Sequence, residues 1–203
     1  MKVTWLGGAG LSFESERARI LVNCAEGEAD ILLFTSACHL SKAAVSDLLA
    51  KNPNALVLAS RSAFAALEGL CGSYNIVPVA PHSVYSERGI TFYAVRAEGA
   101  DTQAVGFILD DGGATYYVSG ETLYNYDVLD DVLELVEDGV SYAFLPINGH
   151  GGSMNAKDAA DFAYELGAEN AVPLYYGAHP GNPDDFDFEE GKTVLLPNQA
   201  AEL

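Results

Sequence analysis

Apolar and polar positions alternate from the start of the chain. Val3–Leu6, Leu11–Phe13, Arg19–Asn23 and Asp30–Phe34 are short aliphatic or β-branched runs bounded by Gly, Glu or Asn, and each predicts a strand. The period then lengthens. Val45, Leu48 and Leu49 share one face of a helix that Ser41 would cap and that Asn52-Pro53-Asn54 stops after Lys51. Ala55–Ala59 reads as a buried strand, Ser62–Leu70 as a shorter helix and Ile76–Val79 as a strand. Ile90–Arg96, Ala104–Asp110 and Ala114–Ser119 continue in β, with Asp110-Asp111-Gly112-Gly113 as a hairpin turn. Val128, Leu129, Val132, Leu135 and Val136 predict a helix over Tyr126–Glu137. Ser141–Pro146 follows as a strand, Ala156–Leu166 as a helix and Ala171–Tyr176 as a last core strand. An acidic tail from about residue 182 holds one more short strand at Thr193–Leu196.

Strands come first, then mixed β and α, twice over. No strand ends in a GxGxxG turn, so the order predicts an α/β sandwich, two mixed β-sheets flanked by helices, rather than a doubly wound sheet. No repeat or linker divides the 203 residues, and residues 1–203 are expected to form a single domain.

Charge changes the picture of partners. The chain carries 10 Lys plus Arg against 29 Asp plus Glu, a net charge of −19, and only Lys157 and Lys192 are basic beyond residue 100. Such a surface repels phosphate backbones and anionic bilayers, so no nucleic acid and no membrane is expected as a partner. No apolar run approaches the ~20 residues that span a bilayer, and the N-terminus enters a strand without a cleavage signal. Cys24, Cys38 and Cys71 form neither a CxxC motif nor a disulfide framework. A cytoplasmic protein is expected.

Polar loops follow strands at Thr35–Ser41, Gly120–Leu123, Asn148–Asn155 and Tyr175–Gly181, where α/β folds place their sites. Asn148, Gly149, His150 and Gly151 open a glycine-rich loop before a helix. Its amides could hold a small anionic molecule; alternatively the glycines serve a tight turn, with Ser153 or Asn155 as the helix cap. His179, held extended by Pro180, could face the same pocket or plain solvent. GxSxG, P-loop and HExxH motifs are all absent. No catalytic residue can be named from these patterns.

Four segments, "VTWLGGAGLSFESERARILVNCAEGEADILL", "YYVSGETLY", "AFLPINGHGGSMNAKDAADFAYELGA" and "AVPLYYGAHPG", resemble in order the metallo-β-lactamase fold superfamily, closest to the branch containing L-ascorbate-6-phosphate lactonase. The resemblance spans essentially the whole chain. It implies a metal-dependent hydrolase with two metal ions held by clustered His and Asp, because a bridging hydroxide needs two Lewis acids ~3.5–4 Å apart.

The same comparison implies that most ligands are gone. The family's HxHxDH loop falls on Phe34-Thr35-Ser36-Ala37-Cys38-His39, its GHA turn has Gly8, its third His falls at Glu98-Gly99, its bridging Asp is Glu121 and its last His is Tyr175. Two expectations follow. The first is a degenerate, non-catalytic pseudoenzyme with no metal and a residual small-ligand pocket. The alternative is a divergent hydrolase of an ester, lactone or phosphoester that uses one Zn, Fe or Mn ion at Cys38, His39 and Glu121. The superfamily's habit of association also makes a homo-oligomer an expectation.

Overall fold

A computed structural model of the chain describes residues 1–203 except His39, Glu137, Asp138, Ala178, His179 and Glu190. The first sheet holds β1 (Lys2–Gly7), β2 (Gly10–Glu14), β3 (Arg19–Val22), β4 (Ile31–Phe34), β5 (Leu56–Ser60), β6 (Ile76–Val79) and β13 (Ala200–Glu202), in the order β13-β1-β2-β3-β4-β5-β6. The second holds β7 (Val84–Glu87), β8 (Ile90–Arg96), β9 (Val105–Asp110), β10 (Thr115–Val118), β11 (Tyr142–Pro146) and β12 (Asn170–Leu174), in the order β12-β11-β10-β9-β8-β7. Each sheet runs antiparallel first and parallel afterwards: the change falls after β3 in one and after β10 in the other. The parallel halves place consecutive strand ends side by side, and those ends carry the site loops.

The sheets meet through large inward side chains. Phe13 of β2 packs edge-on against Tyr116 and Phe144 of the opposite sheet, with ring centroids 5.8 and 5.3 Å apart. Trp5 of β1 lies 4.4 Å from the ring of Tyr176, just past β12. Helices cover the outer faces. Ser41 caps α1 (Lys42–Lys51) by accepting from the Ala44 amide, and Val45, Leu48 and Leu49 bury against Leu32, Phe34, Val57 and Ala59. Because β4 is covered on both faces, all four of its residues are buried, which explains its uninterrupted apolar run. α3 (Tyr126–Leu133) packs on β8, and α4 (Ala156–Glu165) packs on β11 and β12. Asp131 ties α3 down: its buried carboxylate accepts from the Arg96 amide and lies 3.2 Å from His82 Nε2.

Several boundaries differ from the sequence reading. α2 covers Arg61–Ala66 only, and residues 67–73 continue as turns. α3 stops at Leu133, and Leu135 and Val136 reach the core from the segment beyond its cap, Glu134. The strand expected at Thr193–Leu196 does not form. Leu195 is buried between exposed Val194 and Leu196, so the segment alternates like a strand, but it meets β12 only at its start, where Lys192 bridges Ala171 and the Thr193 amide donates to the Ala171 carbonyl. The acidic tail is docked: Phe186 and Phe188 insert into the core while Asp187 and Glu189 face solvent, and the chain returns to pair β13 with β1. β7 and β13 give no sequence signal, because an exposed VYSE and a short AAE carry no apolar alternation. Among the described residues no helix is long and apolar enough to cross a membrane.

Candidate functional site

Loops from both sheets converge on one cavity of about 370 Å³. Its floor is the tight turn between β1 and β2, Gly7 to Gly10, where Gly7 and Gly8 have φ of +92° and +52° and the Trp5 indole donates to the Gly8 carbonyl. One wall is the chain leaving β3, from Asn23 to Ala25, and another is the chain leaving β4. Phe34, Thr35, Ser36 and Cys38 all line the space. Leu40, Ser41 and Val45 close it from α1, and Glu121 and Tyr175 enter from the ends of β10 and β12.

The polar groups at this junction are joined to one another. The Tyr175 hydroxyl donates to Glu121 Oε1 at 3.1 Å. Burial pushes the Tyr175 phenol well above its usual range, and the neighbouring Glu121 pushes it further. The Cys38 thiol is also raised, by burial first and then by Glu121 and Asp101, against a hydrogen bond with Ser36 that lowers it. It therefore stays a thiol and is a poor nucleophile at neutral pH. Cys24 is pushed up to about 12 by burial, and its Sγ donates to the Leu11 and Val22 carbonyls.

A second layer fixes the loop after β4. The Thr35 amide donates to Asn23 Oδ1 and the Asn23 side chain returns a bond to Thr35 Oγ1, both at 2.9 Å. Asp101 accepts from the Ala37 amide, the Ser62 hydroxyl and the Gln103 amide. Burial alone would raise the Asp101 carboxyl, but these three bonds outweigh it and hold it below its ordinary value. Neither Asn23 nor Asp101 stands out in the sequence, since both lie far from their partners along the chain and belong to no motif.

The structure divides the residues proposed from sequence. Cys38 and Glu121 are brought to the same cavity. His39 and His179 lie outside the described residues. Asn148, Gly149, His150 and Gly151 do not line the cavity. Within their loop, the Gly149, Ser153 and Met154 amides donate to the Met154, His150 and Thr122 carbonyls, and His150 Nδ1 lies 2.7 Å from the Asn148 carbonyl. Asn155, rather than Ser153, caps α4. Gly152 makes a close crossing with Gly99: a Cβ at residue 152 would lie 2.4 Å from the Ala100 nitrogen, and one at residue 99 would lie 2.7 Å from the Glu121 carbonyl. Gly99 thus has no room for a ligating side chain, and Glu98, beside it, is engaged by Asn125.

Comparison with known proteins adds the fold. No family model and no curated protein matches the sequence. Solved structures do match. Igni18, a metallo hydrolase from the hyperthermophilic archaeon Ignicoccus hospitalis, superposes with a TM-score of 0.80 at 17% identity over 98% of this chain and 97% of its own. YhfI from Bacillus subtilis, a metallo-β-lactamase fold protein, gives 0.78 at 15% identity over 99% of each chain. An isothiocyanate hydrolase from Delia radicum gut bacteria gives 0.74 at 15% identity, covering 100% and 99%.

The chain has the metallo-β-lactamase fold.

Igni18, which shares this metallo-β-lactamase fold, is a metallo hydrolase, so the residues of this chain can be tested against the dinuclear centre that the resemblance implies. Among the described residues lining the cavity there is no histidine, one carboxylate and two thiols, one of which is committed to carbonyl oxygens. No group of three described His, Cys, Asp or Glu side chains is clustered to hold a metal. Phe34 and the Tyr175 ring occupy wall positions where the resemblance places imidazoles. The described residues do not fit two metal ions, whose imidazole and carboxylate donors must surround them at about 2 Å.

Proposed function

We propose that this protein is a non-catalytic member of the metallo-β-lactamase fold, one that has exchanged the dinuclear centre for a small-ligand pocket. The observation that carries this reading is the Tyr175–Glu121 hydrogen bond. The two residues hold positions that the resemblance assigns to a histidine ligand and the bridging aspartate. Here they bind each other, and the phenol remains protonated. A protonated phenol donating to a carboxylate is the opposite of two donors turned toward a shared cation. Phe34 supports the same reading, because an aromatic ring in the cavity wall fills space without offering a lone pair.

The second reading, a hydrolase with one metal, is favoured by the convergence of Cys38 and Glu121 on the cavity. Its third ligand would be His39. A single measurement separates the two. Metal content is determined by plasma mass spectrometry on protein purified without chelator and without a nickel column. Metal-free, folded protein that also declines added Zn²⁺ is expected. Near-stoichiometric zinc, iron or manganese that is lost in His39→Ala would overturn the pseudoenzyme reading in favour of the hydrolase.

A further inference from the structure

Resting on that reading of the cavity as a ligand site, we infer that it takes an uncharged, largely apolar molecule about the size of one substituted ring, and refuses anions. Size comes first: about 370 Å³ lies at the small end of the range for organic ligands. The walls come next. Ala9, Ala25, Phe34, Leu40, Val45 and the Tyr175 ring present carbon to the space, and no Lys or Arg appears among the described lining residues.

The polar side chains of the wall already have partners within the protein. Asn23 and Thr35 bond each other, Ser36 Oγ accepts from the Cys38 amide, and Ser41 caps α1. The Cys24 thiol donates to two carbonyls, and Tyr175 donates to Glu121. A ligand rich in hydrogen-bonding groups would lose its water and find few partners here. An apolar ligand needs few hydrogen-bond partners and gives up little hydration of its own on entry.

The Glu121 carboxylate decides the sign. At an effective dielectric of about 20, a like charge held about 6 Å away is disfavoured by about a hundredfold, and partial screening at the cavity mouth leaves at least about tenfold. A cation gains a similar attraction but must leave its hydration for a wall whose polar groups are already bonded, so the two effects oppose each other and leave it no such advantage. The glycine-rich loop at Asn148–Asn155 contributes no lining residue to offset this.

Three probes of one size, benzyl alcohol, benzoate and benzylamine, test the inference by amide chemical-shift titration at pH 7, where the second is an anion and the third a cation. Benzyl alcohol is expected to bind saturably, with shifts at Ala9, Cys24, Cys38 and Glu121, and at least tenfold more tightly than benzoate. Glu121→Gln should narrow that gap to less than threefold, and Ala9→Leu should abolish the shifts while the protein stays folded. Benzoate binding as tightly as the alcohol would overturn the inference. So would benzylamine exceeding the alcohol tenfold, or none of the three saturating. Metal content of the same preparation keeps the two readings apart: stoichiometric metal would sink the metal-free cavity whatever the probes do, whereas metal-free protein with the wrong preference sinks only the ligand class.

Discussion

The Tyr175 hydroxyl donates to Glu121 across the ends of β12 and β10, joining two loops 54 residues apart at the wall of the cavity. Tyr175 is 5% exposed and sits at φ +62°, a left-handed conformation that a bulky residue adopts only when its surroundings hold it there. The hydrogen bond and the packing of the ring supply that hold.

Tyr175→Phe removes the hydroxyl and keeps the ring. Hydrogen bonds to charged groups contribute about 1.5–3 kcal/mol, so the variant should lose about 1–3 kcal/mol. Urea unfolding should show this as a lower midpoint with an unchanged slope. An unmoved midpoint would mean that the bond contributes nothing and that packing alone holds the strained backbone.

The glycine-rich loop gives a paired test. Gly152 has φ +85° and no room for a Cβ against Ala100 and Gly99, whereas Gly151 has φ +66° and open space within 4 Å of where a Cβ would stand. Gly151→Ala therefore meets only the left-handed penalty, about 1 kcal/mol. Gly152→Ala meets that penalty and a backbone clash as well, and should cost about 3 kcal/mol or more. Thermal midpoints of the two variants check the order. Equal losses would count against the close crossing.

Alkaline pH should unfold the protein. Cys24 is pushed from 9.0 up to about 12 and Tyr116 from 10.0 up to about 12, both by burial first; Tyr117 and Tyr175 are raised for the same first reason. For each group the unfolded chain releases its proton before the folded one. Stability is therefore full below about pH 9, and falls from there to about pH 12 as these groups would have to ionise. Each adds up to about 1.4 kcal/mol per pH unit to the slope within its own window. Cys24→Ala should flatten the curve between pH 9 and 10, where the tyrosines have barely begun to titrate. An identical curve in that variant would remove Cys24 from the account.

Acid behaves oppositely at Asp101. Its carboxyl is held below the ordinary aspartate value by the Ser62, Gln103 and Ala37 bonds, so its contribution is present above about pH 4 and is lost as pH falls below that. Asp101→Asn keeps the shape but offers only one acceptor oxygen in place of two. It should cost about 1 kcal/mol at pH 7 and reduce the loss of stability below about pH 4. Hydrogen exchange at the Ala37 amide should accelerate in the same variant, because that amide donates to the carboxylate.

The two-sheet architecture was legible because its buried strands announce themselves. The all-buried β4 and the alternating β8 read correctly in type and nearly in extent. Local signals failed where a partner decides the outcome. Thr193–Leu196 alternates yet joins β12 only through the Thr193 amide at its first residue, while Phe186-Asp187-Phe188-Glu189 alternates inside a segment that reads as an acidic tail and is anchored in the core. At the site, Cys38 and Glu121 could be placed together only through the resemblance, since no local pattern relates residues so far apart. The Asn23–Thr35 and Asp101–Ala37 bonds were invisible, because each depends on where two loops cross rather than on any spacing. The glycine-rich loop drew attention for its exposed amides, whereas Gly152 serves a backbone crossing that no sequence pattern encodes.

If the metals were lost by substitution on an intact scaffold, substitution should bring them back. Phe34, Ser36 and Cys38 lie two apart and line one cavity, so Phe34→His, Ser36→His and Cys38→Asp would project three donors into it. Tyr175→His in the same variant adds a fourth donor and releases Glu121 from the phenol's hydrogen bond. Without metal, the quadruple variant should be less stable than the parent, because it buries polar rings where Phe34 and Tyr175 packed. Added Zn²⁺ should reverse that loss: at a hundredfold excess over Kd, binding to the folded state alone stabilises by about 2.7 kcal/mol. The parent's thermal midpoint should not respond to the same Zn²⁺. Thermal unfolding with and without Zn²⁺, together with the zinc retained after gel filtration, measures both arms. A variant that folds but ignores zinc would show that the backbone had also left the metal-binding geometry, and that the cavity is more than a metal site with its ligands exchanged.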